Sequence, residues 1–265
     1  MRRALTILGC GSSGGVPRVA QGWGACDPAN PLNRRRRCSV LVEQGVGAAL
    51  TRVLVDTSPD LREQLLGADV HALDAILISH PHADHTHGID DLRPLFQATR
   101  RRLDMYMDER TARLLRRTFS YVFETPLGSS YPSMLEEKRL TSGQACRIEG
   151  AGGTLEALPI KLEHGEIDAL GFRFGGLAYT PDVSAIPEAS VPLLENLEVW
   201  IIDGLRYARH PTHFSIDEAL DWIARMRPRR AVITNLHTDL DYAELKARLP
   251  EHVAPAFDGM RIEGF

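Results

Sequence analysis

Short apolar runs alternate with turn-forming stretches along this chain. Residues 5–8, 39–42, 52–55, 75–78, 155–162, 199–202 and 230–234 read as strands, and 75–78 in particular is short and rich in β-branched residues. Gly171-Phe172-Arg173-Phe174 and Gly176-Leu177-Ala178-Tyr179-Thr180 predict a hairpin turning at Gly175-Gly176. Residues 60–66 read as helix, and a second helix opens at residues 86–93. Ser215-Ile216-Asp217-Glu218 is a capping box, so a third starts at Ile216 and runs through Ile223. Strands fall in both halves, with helices between and after them. This pattern predicts an α/β chain with two mixed sheets face to face and helices outside, a four-layer αββα sandwich. No stretch reads as a linker, so one domain over residues 1–265 is expected.

Composition narrows the class only a little. Hydrophobic residues make up 43% and charged residues 25%, and the formal net charge is −4. Such a charge gives no general attraction to nucleic acid or to an anionic membrane. No apolar run reaches transmembrane length. Met1-Arg2-Arg3-Ala4-Leu5 enters a predicted strand without a signal-peptide core, so a cytoplasmic protein is expected. Cys10, Cys26, Cys38 and Cys146 are scattered and form no Cys-x-x-Cys pair, which gives no disulfide framework.

The chemistry concentrates in Ser79-His80-Pro81-His82-Ala83-Asp84-His85, directly after the apolar run 75–78. Imidazole and carboxylate are preferred ligands of zinc and similar divalent ions. His80 and His82, two apart on extended backbone, point to one side and can clamp one ion. Asp84 and His85 follow as the chain turns and face a second. Gly9-Cys10-Gly11-Ser12-Ser13-Gly14-Gly15-Val16-Pro17 could cradle phosphate, but it lacks the Lys-Ser/Thr of a P-loop. A tight loop supporting the metal site is the preferred reading. Arg34-Arg35-Arg36-Arg37 is either a solvated basic face or a source of phosphate contacts, with Arg36 and Arg37 as candidates. His87, one position past the cluster, reads as peripheral.

The His-x-His-x-Asp-His pattern resembles the metallo-β-lactamase-fold hydrolases. Within them, Leu8 to Pro17, Trp23-Gly24, Arg36-Arg37-Cys38-Ser39 and the stretch from His210 to Leu220 look most like the PhnP-type cyclic phosphodiesterase branch, with RNase Z more distant. The resemblance implies that His164, Asp182 and His237 complete the metal site. Two divalent ions, Zn2+ or Mn2+, would then be held by His80, His82 and His164 and by Asp84, His85 and His237, with Asp182 bridging. It implies that Asp56, at a strand end, steadies the metal loop. It also places His213 beside the substrate phosphate, so His213 and Asp84 are the residues nearest the chemistry. His213 precedes a helix N-terminus, whose dipole should attract phosphate and lower the imidazole's pKa. Only Cys26 lies near Trp23, beside Asp27 and Asn30, so the structural zinc that the PhnP-type enzyme carries there is not expected. No basic, glycine-rich insertion of the tRNA-gripping kind is seen.

A formal count of two cations, two carboxylates and one hydroxide leaves roughly one positive charge, which suits a phosphodiester monoanion. The expected activity is therefore hydrolysis of a small, cyclic phosphodiester or nucleotide by a hydroxide held between the cations. Thioester hydrolysis or lactone opening on the same fold is the alternative. A non-catalytic metal- or nucleotide-binding protein is a third reading. The expected partner is the small substrate alone, with no membrane and no large nucleic-acid surface, and homodimerisation is left open.

Overall fold

The structure, a computed structural model, describes residues 2–265. Its first half carries strands β1 (Arg2–Gly9), β2 (Ser39–Val46), β3 (Ala49–Val55), β4 (Ala75–Leu77), β5 (Leu103–Met107) and β6 (Leu135–Arg139). The second half carries β7 (Cys146–Ile148), β8 (Leu155–His164), β9 (Ile167–Phe174), β10 (Leu177–Thr180), β11 (Val199–Asp203), β12 (Arg230–Thr234) and β13 (Val253–Pro255), and β14 (Arg261–Glu263) ends the chain. Two seven-stranded sheets result, ordered β14-β1-β2-β3-β4-β5-β6 and β13-β12-β11-β10-β9-β8-β7.

The apolar alternation explains the layering. In β2, Val40 and Val42 face one way and Leu41 the other. In β11, Val199 and Ile201 oppose Trp200 and Ile202. Val40, Val42, Val53, Val55, Leu77, Phe172, Tyr179, Val199 and Ile201 form the core between the sheets. Leu41, Leu54 and Ile76 face outward onto helices α1 (Leu61–Gly67), α3 (Arg93–Thr99) and α4 (Glu109–Thr118), with the short α2 (Ala83–Thr86) in the metal-motif loop. Trp200, Ile202 and Ile233 face the other way, onto α6 (Ile216–Met226) and α7 (Tyr242–Arg248), after the short α5 (Ser120–Phe123). Strands buried on both faces with period two are what a doubly covered sheet requires. The expected αββα order is therefore observed.

Strand direction then fixes where the strand ends meet. In the first sheet β1, β2 and β3 alternate, and β3 to β6 run parallel. In the second, β7 to β10 alternate and β10 to β13 run parallel. Thus β1, β3 and β4 share one direction, and so do β8, β10, β11 and β12. The carboxyl ends of each set lie along one edge of their sheet. The two edges are stitched together there: Gly11 bridges to both Arg37 and Leu236, Leu236 N–H donates to the Cys10 carbonyl, and Ser12 N–H donates to the Leu236 carbonyl.

One boundary differs from the sequence expectation. The chain after the metal motif is a broken helix: α2 stops at Thr86, a 3-10 turn covers Ile89–Leu92, and α3 begins at Arg93 with proline in its first turn. Gly88 lies at the break, its bare Cα against the Ser58 carbonyl, where any Cβ would meet that oxygen at 1.9 Å. Farther along, Ser130, Tyr131 and Pro132 line a groove with Arg93 and Phe96.

Candidate metal centre

Each site residue sits just past a carboxyl strand end, where loops are free to supply chemistry. Ser79 to His82 follow β4, His164 ends β8, Asp182 follows β10, Asp203 ends β11, and Asn235 and His237 follow β12. Asp56 and Asn235, which follow β3 and β12, both have left-handed backbone (φ 65° and 64°). That conformation is uncommon outside glycine and is tolerated best by Asn and Asp.

Asp56 organises the first sheet's share. Its Oδ1 accepts from Ser79 N–H at 2.8 Å, and its Oδ2 accepts from Ser79 Oγ at 2.8 Å and from His85 Nδ1 at 2.7 Å. Ser79 Oγ lies 3.0 Å from His80 Nδ1. His164 Nδ1 donates to the Thr212 carbonyl at 2.6 Å. Engaging Nδ1 in this way leaves Nε2 of His80, His85 and His164 as a bare lone pair, the form a metal needs.

These lone pairs converge. Ligand atoms of His80, His82 and His164 lie within 4.8 Å of one another, as do those of His80, His85 and Asp182, and those of His164, Asp182 and His213. Asp182 is shared: its Oδ1 is 3.2 Å from His85 Nε2, and its Oδ2 is 3.8 Å from His80 Nε2 and 3.6 Å from His164 Nε2. Asp84 Oδ2 is 3.5 Å from His85 Nε2. His80 Nε2 and His85 Nε2 are fully buried and have no hydrogen-bond partner among the described residues. Two orphaned imidazole nitrogens aimed at a buried carboxylate are costly unless a cation completes them. The donor set therefore fits divalent metal.

Charge points the same way. Burial, then the neighbouring His85, pushes His80 well below its ordinary pKa, and burial lowers His82 and His164. Each is thereby biased toward the neutral imidazole that a metal would need. Burial opposes ionisation of Asp182, but the charge of the adjacent His85 outweighs it and holds this carboxyl well below the usual range. Burial also opposes a charge on His85, yet Asp182, Asp84 and Asp56 together raise it well above the histidine range. The carboxylates thus create a demand for positive charge at this point.

His213 enters from the segment before α6. Its Nδ1 donates to Asp203 Oδ2 at 2.8 Å, and its Nε2 points into the cluster, 3.9 Å from Asp182 Oδ2. The expected drop in its pKa is not found. Burial does lower it, but the charge and hydrogen bond of Asp203, with Asp182 behind them, lift it to about 9. A buried carboxylate in contact outweighs the more distant helix dipole. Asp203, wholly buried, is itself raised to about 6 by burial.

The other predicted residues divide. His237 lines the same cleft as Asp84 and His213, but it joins none of the three ligand groups. Its Nε2 accepts from Arg18 Nη1 at 2.5 Å, and its Nδ1 donates to Asp239 at 2.8 Å. Arg36 and Arg37 do not line the cleft; they are taken up by Asp258 and Asp60 (3.0 and 2.7 Å). The next arginine in the run, Arg35, is buried and donates to the carbonyls of Leu240 and His237, at 2.7 and 3.2 Å. His87 lies outside, edge-on to Phe119. Cys26, with no cysteine partner nearby, donates to the carbonyls of Thr238 and Leu240.

The sequence does not single out Arg18 and Arg206 on the cleft wall, or Asp203, which holds His213 from behind. Asp203 carried a usable signal, an acid closing an apolar strand as Asp56 does. Arg18 carried none, since residues 18–38 lack any periodicity.

Comparison with known proteins agrees with this geometry. A β-lactamase superfamily domain model matches residues 51–235, and the chain belongs to that superfamily. Within it, the chain falls in the branch of the PhnP family and ribonuclease Z. A solved diphosphatase of the PhnP family is 35% identical, with a TM-score of 0.89 over 100% of this chain and 98% of that one. A protein of Porphyromonas gingivalis (strain ATCC BAA-308 / W83) named octanoyltransferase is 32% identical over 257 residues, 96% of this chain and 50% of that protein. A ribonuclease Z of Bradyrhizobium diazoefficiens is 31% identical over 150 residues, 54% of this chain and 46% of that protein. The chain thus spans about half the length of the curated relatives it matches.

Proposed function

We propose that this chain is a phosphodiesterase that uses two divalent cations, zinc or manganese, and acts on a small cyclic phosphodiester or a nucleotide. The observation that carries the reading is His213. Its imidazole is held by Asp203 through Nδ1 and presents Nε2 to the cluster, so it can donate a proton to an oxygen lying there. On this reading His80, His82 and His164 would hold one cation and Asp84, His85 and His237 the other, with Asp182 able to serve both. Bound cations at such a site acidify water and neutralise charge on phosphoryl oxygens. The chain's own residues do the rest. Asp56 and Ser79 fix the imidazoles of His80 and His85, and Asn235 donates to Asp182 Oδ1 at 3.3 Å. His213 protonates the leaving oxygen or holds the phosphate. Both roles need the protonated imidazole that Asp203 favours.

The PhnP-family diphosphatase and the ribonuclease Z both bear names of enzymes that cleave phosphoryl linkages, which supports this substrate class. The cleft itself supports it over thioester hydrolysis. It is about 130 Å³, and its lining is Ser12, Ser13, Arg18, Asp84, Arg206, His210, His213 and His237, with Leu205 the one apolar member. Such a lining suits an anion and gives an acyl chain little to bury against.

The test is hydrolysis of a panel after loading with zinc or manganese: 2′,3′- and 3′,5′-cyclic nucleotides, a ribose cyclic phosphate, bis-p-nitrophenyl phosphate and one thioester. Metal-dependent cleavage of a cyclic phosphate is the expected result. Cleavage of the thioester alone overturns the substrate class. A His80→Ala, His82→Ala double variant should lose most bound metal, and full occupancy in it would refute the ligand assignment.

A further inference from the structure

The metal reading leaves Arg18 unexplained. Its backbone is pinned by a reciprocal pair of hydrogen bonds with Gly22, each 2.8 Å. Its side chain crosses Gly14 into the cleft, and a Cβ on Gly14 would meet Arg18 Nε at 2.1 Å. That close approach accounts for one glycine of the glycine-rich loop. No carboxylate of the described residues lies within ion-pair distance of the guanidinium, and its one hydrogen-bond partner among them is His237 Nε2. Arg206, on the same cleft, is tied instead to the carbonyls of Ala208 and Arg209.

His237 is prepared as the other imidazoles are. Its Nδ1 donates to Asp239, which leaves Nε2 as a lone pair directed into the cleft. Arg18 now covers that lone pair. A guanidinium carries donors only and keeps its charge at any working pH. It and a divalent cation cannot use the same lone pair, and they repel each other.

We propose that Arg18 is an exchangeable cation of the substrate cleft: it rests on His237, yields that nitrogen to the second metal, and then binds an anionic oxygen of the substrate. This rests on the phosphodiesterase reading and names the residue that would recognise the substrate's charge. Two consequences follow at once. The metals load in order, with the ion on His80, His82 and His164 bound tightly and the ion that needs His237 bound more weakly. The displaced guanidinium, left without a partner in the cleft, finds one when an anion enters.

Zinc binding measured by calorimetry, with metal content per chain, tests the first consequence in wild type, Arg18→Met and Gly14→Ala. Wild type should show one tight and one weaker step. Arg18→Met removes the competing charge, and Gly14→Ala pushes the guanidinium aside while keeping it. Each should tighten the second step by about tenfold. Inorganic phosphate titrated into the zinc-loaded protein tests the other half, and Arg18→Met should weaken its binding by about tenfold or more. Two zinc ions bound with the second step unchanged in both variants would overturn the exchange alone. Phosphate binding equal in wild type and Arg18→Met would overturn Arg18 as the anion contact. No zinc bound by any of the three proteins would overturn the metal reading and this proposal with it.

Discussion

Asp203 and His213 make the sharpest case at the scale of single residues. Asp203 holds His213 through Nδ1 and lifts its pKa to about 9. Removing the negative partner lowers an imidazole's pKa, so Asp203→Asn should make His213 lose its proton at lower pH. In the pH profile of kcat/KM, the basic limb should move toward neutrality, and turnover at pH 8 should fall about a hundredfold. An unmoved limb would mean that His213 is not the titrating group. Asp56 supports a parallel prediction. Asp56→Asn keeps the shape but weakens the grip on Ser79 and His85, so metal affinity should fall about 10–100-fold in a chelator competition. These residues also show what a sequence can and cannot reveal. Four ligand-type side chains in six positions stand out by their density along the chain. Arg36 and Arg37, adjacent in an obvious basic run, face different carboxylates, Asp258 and Asp60, each brought near only by the folded chain. Arg18 is one arginine in an aperiodic stretch, and its importance comes from a contact 219 residues away.

Elements position these residues, and two of them offer measurable handles. Helix α6 begins at a reciprocal capping box: Ser215 Oγ accepts from Glu218 N–H, and the Glu218 carboxylate accepts from Ser215 N–H. His213 lies two residues before that cap. Ser215→Ala should cost about 1 kcal/mol in urea unfolding, and turnover should fall because the segment that aims His213 loosens. On the first sheet, Glu43 of β2 meets Arg52 of β3 at 2.9 Å and Arg261 of β14 at 2.8 Å. Burial raises the Glu43 pKa, but the two arginines outweigh it, and the net shift is downward. A depressed carboxylate stabilises the fold above its unfolded pKa and loses that contribution as pH falls through the folded one. Glu43→Gln should therefore cost about 0.5–1 kcal/mol at pH 7, with the gap to wild type closing below about pH 4. The central strands were legible because, covered on both faces, they read as short unbroken apolar runs, whereas the edge and polar strands at Leu135–Arg139, Cys146–Ile148 and Arg261–Glu263 carry no such run. The broken helix after the metal motif was not, since Gly88 at the break packs against the Ser58 carbonyl, a contact that no local pattern records.

For the whole molecule, the decisive fact is that the site belongs to neither sheet alone. His80, His82, Asp84 and His85 come from the first, and His164, Asp182, His213 and His237 from the second. Cations that bind only this folded arrangement must stabilise it. Free zinc at a hundred times its Kd should add about 2.7 kcal/mol to unfolding. The His80→Ala, His82→Ala chain should show almost none of that gain in a thermal melt. Equal gains in both chains would place the stabilising zinc elsewhere.

The reciprocal seating of Asp182 among imidazoles of both halves has one more consequence. A metal ion bound there would work as a clasp, and a clasp records whether the two leaves of a hinge have closed. During refolding, each leaf alone offers an incomplete grip and holds zinc loosely. Uptake of tightly bound zinc should therefore coincide with the docking of one sheet on the other rather than with the formation of either. A chain refolded in the presence of a zinc-sensitive dye would report, in its own time course, the moment at which the two halves of the molecule come together.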